Sequence, residues 1–218
     1  MSGGRVGLLL GAAFLIAASP LMAPQLLAFP YSYESGIGTI RSEQPLSPQL
    51  IADLETQTRE RLATSPIASE NERRPIFLTD GGWRWGWLAN SSRGAFALTR
   101  PLTRAVVVNR VETRDATVRK GKGVGGKRRL AAVLAHEFTH GLIRRRYGLA
   151  SVTFPQWKVE GYCDHVAGES SLTAKDAARL EAAGTAHPAL PYYHGRQRVA
   201  AILAANGGSV DRLFTQDD

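Results

Sequence analysis

The chain opens on a stretch without hydrophobic–polar alternation. No residue from Val6 to Tyr33 is charged, and Val6–Phe29 is mostly Leu, Ala, Ile, Phe and Met. As a helix this run would measure about 36 Å, against a bilayer core of about 30 Å. The pattern therefore predicts an N-terminal hydrophobic helix within residues 1–30 that anchors the chain in a membrane. Pro20 and Pro24 shorten the uninterrupted part to Val6–Ser19, the size of the apolar region of a cleaved signal peptide. Ala17-Ala18-Ser19 runs directly into Pro20 and offers no clean small-x-small cleavage site. The expectation is thus a single-pass anchor, with secretion as the outcome if the segment is removed. Arg5 precedes the run and the next basic residue is Arg41, so positive-inside reasoning places the following domain outside the cytoplasm.

Residues 31–218 read as one α+β domain: a small, mostly antiparallel sheet followed by a helical half. Gly38–Arg41 predicts a short strand. Ser47-Pro48 predicts an N-cap and first turn, and Leu50, Ile51, Leu54 and Leu62 mark one side of a helix over Pro48–Ala63. Arg74–Thr79 predicts a strand closed by Asp80-Gly81-Gly82. Trp83–Leu88, with Trp83, Trp85 and Trp87 at alternate positions, predicts a further strand or wide loop with the tryptophans on one face. Gly94–Thr99 and Ala105–Val111 predict two strands joined through Arg100–Arg104. Val118–Arg129, with its glycines and basic residues, predicts a mobile solvated loop. It has no G-x-x-x-x-G-K-[ST] and is not a nucleotide-binding loop. Beyond it, apolar residues at Leu130, Val133, Leu134, Phe138, Leu142 and Ile143 predict a helix over Arg129–Tyr147. Further helices are predicted at Gln156–Gly168, from Thr173 with Asp176 as capping partner, at Tyr192–Ala205, and over Ser209–Leu213.

Charge changes this picture locally. The net charge is +8. Arg110–Arg146 alone holds eleven basic and three acidic residues, so the remaining 181 residues carry 16 of each sign. The basicity is one regional feature and does not suggest specific nucleic-acid binding. It could face acidic lipid head groups or an acidic partner. One cysteine excludes an internal disulfide and any four-cysteine metal site.

The chemistry sits on the long helix. His136-Glu137-Phe138-Thr139-His140 is H-E-x-x-H. Two histidines four residues apart project from one helical face and can grip one metal ion, with Glu137 beside it as a base for a water that the metal acidifies. With 5 histidines in 218 residues, the pattern would arise in a shuffled chain roughly 0.006 times, so it asks for an explanation. A zinc site with two imidazoles needs a third protein ligand and an open position. Glu160, on the next predicted helix, can supply a carboxylate. Asp164, four residues on, shares its face and can accept the free N–H of a ligating histidine.

H-E-F-T-H followed by P-x-W-x-x-E-G-x-x-D resembles the gluzincin group of zinc metallopeptidases over Leu130–Gly168. The resemblance implies a zincin-like fold, a peptide or protein substrate and one Zn2+ held by His136, His140 and Glu160. It further implies Glu137 as general base and acid, and Asp164 supporting a ligand. An edge strand before the motif helix pairs with substrate in that family, and Gly94-Ala95-Phe96-Ala97 is the segment that looks like it. The metzincin pattern is excluded, because position 143 is Ile and position 146 is Arg.

Neighbouring alternatives read as structural. Cys163 and His165 lie about 300° and 500° around the helix from Glu160, so Cys163 is expected in the core and His165 as a surface or satisfied histidine. His187, beside Pro188, reads as surface. A donor to the developing oxyanion is sought among Tyr192, Tyr193, His194, Arg196 and Arg198, with Tyr193 and His194 preferred. The competing function is a catalytically silent scaffold that binds an anionic partner or membrane through Arg110–Arg146.

Overall fold

The computed structural model describes residues 19, 21–100 and 103–216. Most of the expected N-terminal anchor lies outside them. Its described end, Pro24–Leu27, is a single 3-10 turn closed by Ala28 in the left-handed region (φ 50°). No described helix is long and apolar enough to cross a membrane.

The rest is an α+β fold built on one mixed seven-stranded sheet. Its strands are β1 (Tyr31–Ser35), β2 (Gly38–Ser42), β3 (Ile76–Thr79), β4 (Ala97–Thr99), β5 (Val106–Glu112), β6 (Thr117–Arg119) and β7 (Lys127–Arg129). They run in the order β1-β2-β3-β5-β6-β7, and β4 also pairs with β5. The helices among the described residues are α1 (Pro48–Ala63), α2 (Trp83–Ala89), α3 (Leu130–Tyr147), α4 (Gln156–Ala167), α5 (Ala174–Ala182), α6 (Leu190–Ala205) and α7 (Val210–Thr215).

Four of the six strand pairings are antiparallel, in keeping with the mostly antiparallel expectation, and two are not. β2–β3 and β3–β5 are parallel. Parallel neighbours need a crossover, usually a helix, and α1 and α2 supply one each. Trp83–Ala89 is therefore a helix and not a strand, and its tryptophans do not share a face. Trp85 is buried with Leu88 and Ala89, whereas Trp83 and Trp87 are exposed. Positions 85, 88 and 89 follow helical spacing, which the alternation of large rings masked.

Side chains alternate across the central strands. Ile76, Leu78, Val106 and Val108 face the main core with α1 and α3. Phe77 and Val107 face the other side, where Trp85, Leu88 and Phe29 cover them. α3 is buried on nearly all sides, because small Ala131, Ala132 and Ala135 let neighbours approach where the periodic apolar stripe ends.

Val118–Arg129 is likewise not a free loop. Its ends form the β6–β7 hairpin, with Val118 opposite Arg128. Its charges are mostly matched inside the molecule: Arg119 with Glu112 (2.6 Å), Arg128 with Asp164 (3.0 Å) and Arg129 with Glu169 (2.6 Å). Lys127 pairs with Asp115.

α4 and α6 touch backbone to backbone. A Cβ on Gly161 would fall 2.5 Å from the carbonyl oxygen of Gly195 and 2.6 Å from its carbon. Gly161→Ala is accordingly expected to destabilise the fold by about 1–3 kcal/mol through overpacking, read as a lower urea midpoint. An exposed helical Gly→Ala would instead stabilise by about 1 kcal/mol, so the sign of the change reports the contact.

Candidate metal centre

α3 and α4 bring the sequence-predicted residues together. His136 and His140, one turn apart on α3, place their Nε2 atoms 3.3 Å from each other. Glu160 on α4 reaches both, with Oε2 3.3 Å from His136 Nε2 and Oε1 3.7 Å from His140 Nε2. Metal–ligand bonds of 2.0–2.1 Å in a tetrahedron require ligand atoms about 3.3–3.4 Å apart. The separations between these donors are close to those edges, so the residues fit a small tetrahedral cation.

Asp164 fixes the first imidazole. Its Oδ1 lies 2.8 Å from His136 Nδ1 and 3.0 Å from Arg128 Nη1. Burial acts to raise the Asp164 pKa, but Arg128 and then His136 outweigh it and hold the carboxyl at about 2. The ionised carboxylate can only accept, so His136 Nδ1 carries the proton and Nε2 faces the other donors. With no cation, burial works against charging His136, yet its hydrogen bonds to Asp164 and Glu160 prevail and push its pKa up to about 10. The pocket thus favours positive charge at the point where the three donors converge.

Cys163 lies in the core, as expected. It is fully buried, but it also offers sulfur to the same centre: single ligand atoms of His136, His140 and Cys163 lie within 4.8 Å of one another. A rotation of 300° is 60° in the opposite sense, so Cys163 lies beside Glu160 on the helix surface. Burial, followed by the charges of Glu160, Glu137 and Asp164, pushes its thiol well above the ordinary range. That disfavours the thiolate a metal needs.

Glu137 is buried (6% exposed) and lines the same cleft. Thr99, at the end of β4, places its hydroxyl 2.8 Å from Glu137 Oε2 and 3.0 Å from the Glu137 carbonyl oxygen. This contact ties the edge of the sheet to the motif helix.

A cleft of about 1260 Å³ runs past these groups. It exceeds the roughly 300–1000 Å³ common for small-molecule pockets. Gly94, Ala95, Phe96 and Ala97 all line it, but the edge strand is shifted: β4 begins at Ala97, and residues 94–96 form a turn held by Asn109, which binds the Phe96 and Ala95 carbonyls (both 2.8 Å). Among the described residues β4 pairs only with β5.

The preferred oxyanion donors lie elsewhere. Tyr193 packs against Leu172, Ala177 and Ala189, and His194 is exposed and pairs with Glu181 at 2.9 Å. Arg198 stacks on Trp157. Tyr192 is the one of the five candidates that lines the cleft, and half-buried His187 lines it as well. Burial, then the charges of Glu160 and Asp164, raise the Tyr192 pKa and keep its phenol a donor. Sequence reasoning missed Thr99 and Arg128. Each looked ordinary in its segment, and only tertiary pairing gives it a role. No protein-family model, no curated protein and no solved structure matches the chain.

Proposed function

We propose that this chain is a zinc-dependent peptide-bond hydrolase of gluzincin type. The observation that carries the reading is the spacing of His136 Nε2, His140 Nε2 and the Glu160 carboxylate, 3.3–3.7 Å, beside a buried carboxylate in a cleft. His136, His140 and Glu160 would hold one zinc ion. When bound, zinc lowers the pKa of water and polarises a carbonyl.

The protein's own groups supply the remaining chemistry. Glu137 takes a proton from the attacking water and returns it to the departing amine. Thr99 holds the Glu137 carboxylate in place while that proton moves. Tyr192 donates to the oxygen on which negative charge develops. The unpaired side of β4 accommodates an extended peptide by backbone hydrogen bonding.

The third ligand has a rival in Cys163. Glu160 is favoured by its spacing and by charge that needs no deprotonation of a buried thiol. In cobalt-substituted protein, Glu160 ligation gives no thiolate charge-transfer band. The silent scaffold docking through Arg110–Arg146 is disfavoured, because much of that basic region is already paired within the molecule.

The test is hydrolysis of an unfolded protein mixture by the purified full chain, followed as new amino termini. Cleavage is expected, lost with a chelator and restored by stoichiometric zinc. Chelator-insensitive cleavage, or none with zinc loaded, contradicts the proposal.

A further inference from the structure

Past His140 the cleft changes character. Gly141, the next residue, lies under the guanidinium of Arg74: a Cβ there would sit 1.4 Å from Arg74 Nη2. Arg74 stacks over Phe138 (5.3 Å) and bonds Glu72 through Nε (3.0 Å) and Nη2 (2.7 Å). Glu72 also receives Arg104 (2.9 Å) and Arg145. Three guanidiniums therefore share one buried carboxylate, leaving two positive charges that no other carboxylate among the described residues balances.

Three more arginines line the same cleft: Arg128, already paired with Asp164, and Arg100 and Arg144. Arg100 follows Thr99 directly. It donates to the Leu88 carbonyl, and among the described residues its buried Nε has no hydrogen-bond partner and no carboxylate pairs with it. Arg144, one helical turn past His140, is exposed and has no ion pair among the described residues. Among the described residues, the carboxylates lining the cleft are those of Glu137, Glu160 and Asp164 at the candidate metal centre.

Resting on the peptidase reading of the neighbouring centre, we infer that this arginine-lined end is a subsite for a carboxylate, selecting peptides with an acidic side chain near the cut bond. Several unneutralised guanidiniums in a concave, partly desolvated wall strongly favour a carboxylate over its uncharged amide. An acidic residue one or two positions from the reacting bond would lie over this wall while the peptide backbone follows β4.

The test is binding, measured on the full-length Glu137→Gln protein so that cleavage does not intervene. The probes are rhodamine-labelled Ala/Gly decapeptides with a single Glu at each position in turn, and their Gln counterparts. Fluorescence anisotropy should give at least tenfold tighter binding for Glu at one or two adjacent positions. Arg144→Glu, at an exposed side chain whose loss leaves the core intact, should abolish that preference and favour a Lys-bearing peptide. Equal or undetectable binding of Glu and Gln peptides overturns the inference, as does a preference unchanged in Arg144→Glu. The hydrolysis assay is independent: cleavage without acidic preference removes only this subsite, whereas acidic preference without cleavage removes the peptidase and leaves the subsite.

Discussion

On the proposed hydrolase reading, Glu137→Gln is expected to lower the rate of peptide hydrolysis by about 10²–10⁴-fold, the usual contribution of a positioned general base, with zinc content expected to stay at the wild-type value. The amide keeps the size of the side chain and can still meet the Thr99 hydroxyl, which lies 2.8 Å from Oε2. It cannot take a proton. Glu137 is separate from the converging donors of His136, His140 and Glu160, so loading the metal does not require it. Steady-state kinetics and elemental analysis of the same preparation check both halves. A loss of zinc together with activity would make Glu137 a ligand or a structural residue. An unchanged rate would leave the protein a scaffold.

Asp164→Asn is the second large effect, because one carboxylate serves two partners in the interior. Asp164 and Arg128 are almost wholly buried, and both Arg128 and His136 bond the same Oδ1. The amide no longer balances the Arg128 guanidinium. Breaking a buried pair in this way costs about 3–5 kcal/mol, read as a lower urea midpoint in metal-free protein. Zinc affinity is expected to fall as well, by about 10–100-fold, because a neutral amide, which can turn either its oxygen or its NH2 to the ring, holds the His136 tautomer less firmly than an acceptor-only carboxylate. The pH dependence has a definite sign. The folded Asp164 pKa, about 2, lies below its ordinary 3.8. Its contribution is present above about pH 4 and is lost as pH falls through 2. The wild-type protein therefore loses this stability between those values, and the Asp164→Asn protein does not.

The site was more legible in the sequence than the sheet that frames it. His136, His140, Glu160 and Asp164 sit at spacings of four on two helices, and helical geometry alone puts each pair on one face. The same arithmetic carried too far set Cys163 aside, although position i+3 is as near a neighbour as i+4. The helices α1, α3 and α4 matched their sequence signals closely: Ser47 caps α1, accepting the Leu50 amide at 3.1 Å, as the Ser47-Pro48 pair suggested. α2 was hidden by three tryptophans whose alternation imitates a strand. Once that segment is taken as a strand, no crossover remains between β3 and β5, and an antiparallel sheet follows. The β6–β7 hairpin was hidden by its basic residues, whose partners Glu112, Asp115, Asp164 and Glu169 come from other segments. Tyr192 and Tyr193 are indistinguishable by composition. Which one faces the cleft depends on the rotation of α6, set in part by the close approach of Gly195 to Gly161.

The central claim is that His136, His140 and Glu160 hold one zinc ion. Its most direct test is the metal content of the purified full chain beside His136→Ala, Glu160→Gln and Cys163→Ser, by elemental analysis after equilibration with limiting zinc. One zinc per chain in wild type and in Cys163→Ser, with loss in His136→Ala and Glu160→Gln, is the expected result. Absence of zinc from the wild-type protein, or retention in Glu160→Gln with loss in Cys163→Ser, contradicts it.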